Sequence, residues 1–301
     1  MSDTHYLNKS INFPCPAKLN LFLHIVGQRD DGYHELETTF QFLDYCDTLT
    51  IKTTNNKKIN LLTPIKGVKN EDNLIVKAAF LLQSEILKID KNFSLGVEIE
   101  LNKILPMGGG LGGGSSNAAT VLVALNKLWK SDFSLDTLAK LGLKLGADVP
   151  IFVQGFSAFA QGIGEELTPV FPEECWYLIT KPHCSISTRD VFTAKDLPRK
   201  TPRISSERYS TQGFADDLFS DLFHNDCQTL VIKHYPEVAN LLAWLVEYAP
   251  SRMTGTGACV FSRFTSQKQA CELQKKLPSG TYSFVAKGLN KSPLSTVVNS
   301  L

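Results

Sequence analysis

The sequence has no close cysteine pair. Its seven cysteines (Cys15, Cys46, Cys175, Cys184, Cys227, Cys259 and Cys271) are dispersed, odd in number and never at C-x-x-C spacing. That pattern argues against a disulfide framework or structural zinc and for reduced thiols. No uninterrupted apolar stretch is long enough to span a bilayer. The polar segment Met1–Ser10 lacks the apolar core of a signal peptide. Together these set the expectation of a soluble, cytoplasmic protein. Neither sign of charge dominates: 31 basic side chains face 30 acidic ones, for a net charge of +1. There is thus no global basic field to hold a nucleic-acid backbone, and a nucleic-acid-binding module is disfavoured. Internal repeats, low-complexity tails and carboxylate–histidine clusters at metal-ligand spacing are also missing.

What is present is a chain of 301 residues, 43% of them hydrophobic, enough for a substantial core. The spacing from Ala17 to Val26 alternates, with Ala17, Leu19, Leu21, Leu23 and Ile25 on the expected core face and Lys18, Asn20, Phe22 and His24 opposite. The turn-forming segment Gln28–Gly32 leads to a returning strand over 35–43, and a further strand over 48–53 follows a break at Asp44–Asp47. Helical spacing appears over 72–87, with Asn73 as a cap, and over 117–129, 135–145, 218–231, 236–248 and 266–276. Short strands are expected over 93–101, 151–154, 258–264 and 281–287, and a loop-rich stretch from Thr180 to Gly213. The irregular interleaving predicts an α+β fold rather than a doubly wound sheet. A boundary near Gly164 would give two domains, 1–164 and 165–301.

The most informative segment is Gly108–Gly114, Gly-Gly-Gly-Leu-Gly-Gly-Gly, followed by Ser115, Ser116 and a helix. Such a run points backbone N–H groups and a helix N-terminus at one spot, which suits a phosphate. A linker is the bland alternative, but linkers rarely feed straight into a periodic helix. Gly114 is followed by Ser115 and not by lysine, so this is no Walker A loop. No strand ending in an acidic residue follows, so the dinucleotide reading fails as well. The absence of H-R-D and D-F-G segments removes a protein-kinase loop.

Three motifs occur in order: Pro16-Ala-Lys-Leu-Asn20, the run from Pro106 to Ala119, and Thr254-Gly-Thr-Gly-Ala258. With them the chain resembles the GHMP kinase superfamily over nearly its whole length, from about Pro14 to about Leu294. Asp30-Asp-Gly-Tyr-His34, Glu71-Asp-Asn-Leu74 and Leu145-Gly-Ala-Asp-Val-Pro150 resemble the branch whose acceptor alcohol carries a cytidine diphosphate. The resemblance implies an N-terminal domain of the ribosomal-protein-S5-domain-2 type, a C-terminal ferredoxin-like domain and an active site between them. It implies ATP as phosphate donor, with Mg²⁺ arriving on the nucleotide, and a small-molecule partner in a monomer or weak homodimer.

By the same resemblance, Lys18 and Asp148 form the catalytic pair. A hydroxyl needs a carboxylate to take its proton as it attacks phosphorus, and an ammonium nearby stabilises the developing negative charge. Pro106, Met107, Gly108, Gly109, Gly110, Leu111, Gly112, Gly113, Gly114, Ser115 and Ser116, with Asn73 and Lys103, would hold ATP. Asn20, Tyr33, His34, Thr188, Phe192 and Gly257 would hold the substrate, with Tyr33 and Phe192 stacking on a cytosine and His34 bonding its polar edge. Read without the resemblance, Lys18 is a strand-surface lysine, Asp148 a turn residue, Asn73 a cap and Tyr33 a hairpin-tip residue. His24 reads as a structural histidine. Another GHMP small-molecule kinase, or a silent ligand sensor on the same fold, are the alternative functions.

Overall fold

Ser10–Gln28 (β1) and His34–Thr54 (β2) pair as a long antiparallel hairpin. At its tip the Gly32 amide donates to the Arg29 carbonyl, and Gly32 supplies a φ of 86° that a side chain would resist. The structure, a computed structural model, describes residues 6–65, 67–204, 219–220 and 222–301.

Two expectations are corrected in this hairpin. β2 does not break at Asp44–Asp47. These carboxylates serve as acceptors for adjoining backbone: Asp44 takes the Lys287 amide at 2.7 Å, and Asp47 takes the Ile104 and Leu105 amides at 2.8 Å each. In β1 both faces are buried, so Lys18, Asn20, Phe22 and His24 are no solvent-facing row. Register shifts between Pro16 and Lys18 and between Asn20 and Leu23 interrupt the alternation.

Ile59–Leu61 (β3) lies parallel to Gly96–Asn102 (β4), which pairs with β2. Between them Leu74–Ile89 (α1) starts where the Asn73 side chain accepts from the Ile75 amide, the cap expected from sequence. Gly113–Leu128 (α2) begins inside the glycine run, four residues before the apolar stripe made it visible at Asn117. α2 packs against α1 and β1. Leu135–Leu143 (α3) is capped by Ser134. Val149–Gln154 (α4) is a helix where a strand was expected. Pro150 stands in its first turn and Gly155 ends it at φ 72°. Ala158–Gln161 (β5) and Glu166–Pro169 (β6) form a hairpin on β2, with Gly164 in its turn.

Trp176–Lys181 (β7) opens the second half. Thr188–Thr193 (α5), Asp226–His234 (α6), Pro236–Val246 (α7), Ser251–Met253 (β8), Val260–Phe264 (β9), Gln267–Gln274 (α8), Tyr282–Leu289 (β10) and Pro293–Asn299 (α9) follow. The helix expected from Leu218 begins at Asp226, capped by Asn225. Leu218 itself, and the loop expectation up to Gly213 beyond Ile204, lie outside the described residues.

The strand order β10-β7-β9-β8 is antiparallel throughout. Counted along the second half this is 4-1-3-2, with helices on the β7–β8 and β9–β10 connections, which is the ferredoxin-like arrangement expected. β10 also pairs with β2 through Gly288 and Leu289, joining both halves in one ten-stranded sheet.

Candidate active site

The glycine run is held against two other segments by backbone bonds. The Lys18 amide donates to the Leu111 carbonyl at 3.1 Å, which ties β1 to the loop. The Ala258 and Cys259 amides donate to the Gly108 and Gly109 carbonyls at 3.4 and 3.2 Å. Contact with the 254–258 turn is close enough that a Cβ on Gly110 would sit 2.2 Å from the Thr254 carbonyl oxygen. Glycine is therefore required there by packing as well as by its φ of 75°. Gly112, at φ 70°, immediately precedes α2, so the N-terminal amides of that helix open toward the loop.

Beside the loop, Lys18 Nζ lies 3.3 Å from Asp148 Oδ2. The lysine is buried by the Asn20 amide oxygen at 2.5 Å and by the Phe40 ring at 5.1 Å from its centroid. Asp148 comes from the turn before α4, where Pro150 fixes the start of the helix. Asn20 is itself anchored: its side-chain amide donates to Thr38 Oγ1 at 3.0 Å, and its backbone amide donates to Thr254 Oγ1 at 2.9 Å.

These groups line one cavity of about 560 Å³. Of the expected residues, Pro106 through Ser115, Asn73, Lys103, Lys18, Asn20, Asp148, Thr188 and Phe192 all reach it. Ser116 does not: it is fully buried behind the loop, so only Ser115 offers a hydroxyl. Gly257 is also off the wall, where Gly255 and Thr256 stand instead. Thr188 Oγ1 meets Thr256 Oγ1 at 3.0 Å, which links the two ends of that wall.

Sequence reasoning missed Asp47. It is wholly buried and bonds Lys103 Nζ at 2.6 Å, besides its two backbone donors. The carboxylate thus aims Lys103 at Gly113, where a Cβ would lie 3.1 Å from Nζ. Two carboxylates within four residues, Asp44 and Asp47, looked like a break, and their bonds to distant backbone amides leave no pattern in the sequence.

A cavity combining a phosphate loop with a buried ammonium–carboxylate pair invites comparison with known proteins. Residues 73–156 match the family of GHMP kinases N-terminal domains, and residues 212–282 match the GHMP kinases C-terminal family. A 4-diphosphocytidyl-2-C-methyl-D-erythritol kinase of Colwellia psychrerythraea is 66% identical over 98% of this chain and 96% of its own length. One from Aliivibrio fischeri is 54% identical over 96% of each chain. A crystal structure of 4-(cytidine 5′-diphospho)-2C-methyl-D-erythritol kinase superposes with a TM-score of 0.77 at 27% identity, covering 92% of this chain and 99% of that one. The chain belongs to the 4-diphosphocytidyl-2-C-methyl-D-erythritol kinase family of GHMP kinases. It is an ATP-dependent small-molecule kinase.

In this GHMP kinase the far end of the cavity is aromatic. His34, at the start of β2, is buried and stacks on Phe192 of α5 with ring centroids 5.3 Å apart. Burial, with Arg199 beside it, pushes His34 below the usual histidine range. Phe192 lines the cavity, and His34, stacked upon it, lies next to the wall rather than in it. Tyr33 is not brought to the wall: its side chain sits at the hairpin tip, 59% exposed, as the bland reading had it.

All seven cysteines are unpaired. Among the described residues no helix is long and apolar enough to cross a membrane, and no three His, Cys, Asp or Glu side chains gather as a metal site.

Proposed function

We propose that the chain transfers the γ-phosphate of ATP to the 2-hydroxyl of 4-diphosphocytidyl-2-C-methyl-D-erythritol, a step of the non-mevalonate route to isoprenoid precursors. The observation that carries this reading is identity of 66% across essentially the full length of both proteins. Conservation of fold alone would leave the acceptor open, since mevalonate kinase structures share it.

The roles follow from placement. Asp148, the more exposed member of the pair, accepts the proton of the 2-hydroxyl as its oxygen attacks the γ-phosphorus. The bond from phosphorus to the β,γ-bridging oxygen breaks and ADP leaves. Lys18 balances the carboxylate and stabilises charge developing on the transferred group. The loop from Gly108 to Ser115 supplies amides to the phosphates, and Asn73 and Lys103 border the nucleotide. Mg²⁺ arriving with the nucleotide would supply charge neutralisation at the phosphates. Its ligands would be phosphate oxygens and the Ser115 hydroxyl. Asn20 and Thr188 would face the alcohol, and Tyr33, His34 and Phe192 the cytosine. The chain would divide near Gly164, into 1–164 and 165–301, and act as a monomer or weak homodimer in the cytoplasm.

The test is a substrate panel. With ATP and the cytidine-tagged alcohol the protein should yield ADP and the 2-phosphate. Turnover with homoserine or mevalonate alone would make it a different GHMP kinase. Tight ligand binding without ADP release would support a silent sensor.

A further inference from the structure

Arg199 engages its whole guanidinium near His34. Its Nε donates to His34 Nε2 at 3.1 Å. One Nη reaches the Lys195 and Leu197 carbonyls at 3.4 and 3.0 Å, and the other reaches those of Phe192 and Ala194 at 3.4 and 2.6 Å. A single side chain therefore shapes the segment that presents Phe192 and also touches the histidine stacked upon it.

The contact with His34 has a chemical consequence. Arginine carries five N–H donors and no acceptor. The 3.1 Å contact is a hydrogen bond only if Nε2 offers a lone pair. In neutral histidine the proton must then reside on Nδ1. An imidazolium would oppose N–H to N–H and place a second cation against the guanidinium. Among the described residues Nδ1 has no hydrogen-bond partner, so this donor remains for a ligand.

Several charged groups near this end of the hairpin form ion pairs of their own. Arg29 and Asp31 bridge across the turn at 3.0 Å. Farther along β2, Arg203 holds Glu35 at 2.5 Å and Glu37 at 3.5 Å. Arg199 is the charge that acts on the His34 ring, in the same direction as burial.

We infer that Arg199 is a positioning residue for base recognition, fixing His34 as the neutral Nδ1–H tautomer so that it donates to an acceptor on the edge of the nucleobase. Cytosine offers such acceptors at N3 and O2. The inference rests on the cytidine reading given above for the ligand, but the tautomer itself can be measured without any ligand.

Two-bond ¹⁵N–¹H spectra of the full chain, with His34 assigned by loss of its signals in His34→Gln, should show Nδ1 protonated and Nε2 bare. The His34 titration should lie below the ordinary histidine range. Arg199→Met removes the donor and frees the ring to carry its proton on Nε2, turning a lone pair toward the base. At about pH 8 the KM for the cytidine-tagged alcohol should exceed wild type by about tenfold, the scale of one hydrogen bond. As pH falls through the variant's own histidine titration the imidazolium again donates from Nδ1, so this ratio should fall toward one. Arg199→Gln keeps a donor and should restore much of the wild-type KM, which serves should the methionine variant not fold. A wild-type proton on Nε2, or a KM ratio constant with pH, overturns the inference. If the tautomer is as stated but CDP does not compete with substrate, the cytidine reading is what fails.

Discussion

Lys18 Nζ stands 3.3 Å from Asp148 Oδ2, with the lysine side chain 3% exposed and the aspartate 36% exposed. The asymmetry assigns different work to the two. The ammonium is held by Asn20 and Phe40 and is immobile, while the carboxylate opens to the cavity where an acceptor hydroxyl can meet it. Asp148→Asn keeps the shape and removes the proton acceptor. It should lower kcat by about 10²–10⁴-fold, the usual contribution of a general base, with the KM for ATP little changed. Steady-state kinetics check this; undiminished kcat would remove Asp148 as the base.

Gly110→Ala should be far more damaging than an ordinary surface glycine substitution. The added Cβ meets the Thr254 carbonyl at 2.2 Å on a residue with φ of 75°. Backbone of the loop or of the 254–258 turn must shift, at a cost on the order of 2–4 kcal/mol. Thermal unfolding should show the loss, and ATP turnover should fall with it, since backbone bonds between these same two segments fix the loop.

Asp47→Asn tests whether Lys103 needs its buried anchor. The amide oxygen can keep the Ile104 and Leu105 donors, but its NH₂ faces Lys103 Nζ, now 2.6 Å from a carboxylate oxygen. A several-fold rise in the KM for ATP is expected, together with destabilisation of about 1–3 kcal/mol, the scale of an unsatisfied buried polar contact. A denaturation curve and an ATP titration of initial rates measure the two effects separately.

His24 predicts how stability responds to acid. Burial, and next the neighbouring His224, push it down to about 4. Unfolded histidine binds its proton near pH 6.5, so between about 6.5 and about 4 the unfolded chain holds one more proton than the folded one. Stability is therefore full above that window and declines as pH falls through it, by about 1.4 kcal/mol per pH unit. From about pH 7.5 to about pH 5 the loss should be roughly 2 kcal/mol, visible in the urea midpoint. His24→Phe should flatten that part of the dependence.

Much of this molecule is legible in its sequence, for physical reasons that differ by element. Asn73 was readable as a cap because capping needs only a short polar side chain at one place, and α2 because its stripe is long. The stretch 151–154, inside the helix Val149–Gln154, was misread because so short an apolar run fits helix and strand equally. Pro150 and Gly155, in the order typical of a helix, were the signal that could have corrected it. Lys18 and Asn20 sat on a face that alternation assigned to solvent, yet both are buried, because that face of β1 packs against Phe40 and the 254–258 turn. Asp47 and Arg199 were invisible for a common reason. Each has a partner distant in sequence, the Ile104 amide for Asp47 and the His34 ring for Arg199, and single-residue patterns do not report such partners.

The pairing of β10 with β2 has a consequence for how the chain becomes a protein. Gly288 and Leu289 cover Leu43 and Phe42, and the rest of β10 covers β7. Until that last strand arrives, two strand edges that are internal in the finished sheet stay open, in a hydrophobic nascent chain. Assembly must wait on contacts of very long range, which are slow to form. The final strand thus acts as a latch on synthesis: a ribosome that stops short of it releases a chain with two adhesive edges and two unjoined half-sheets.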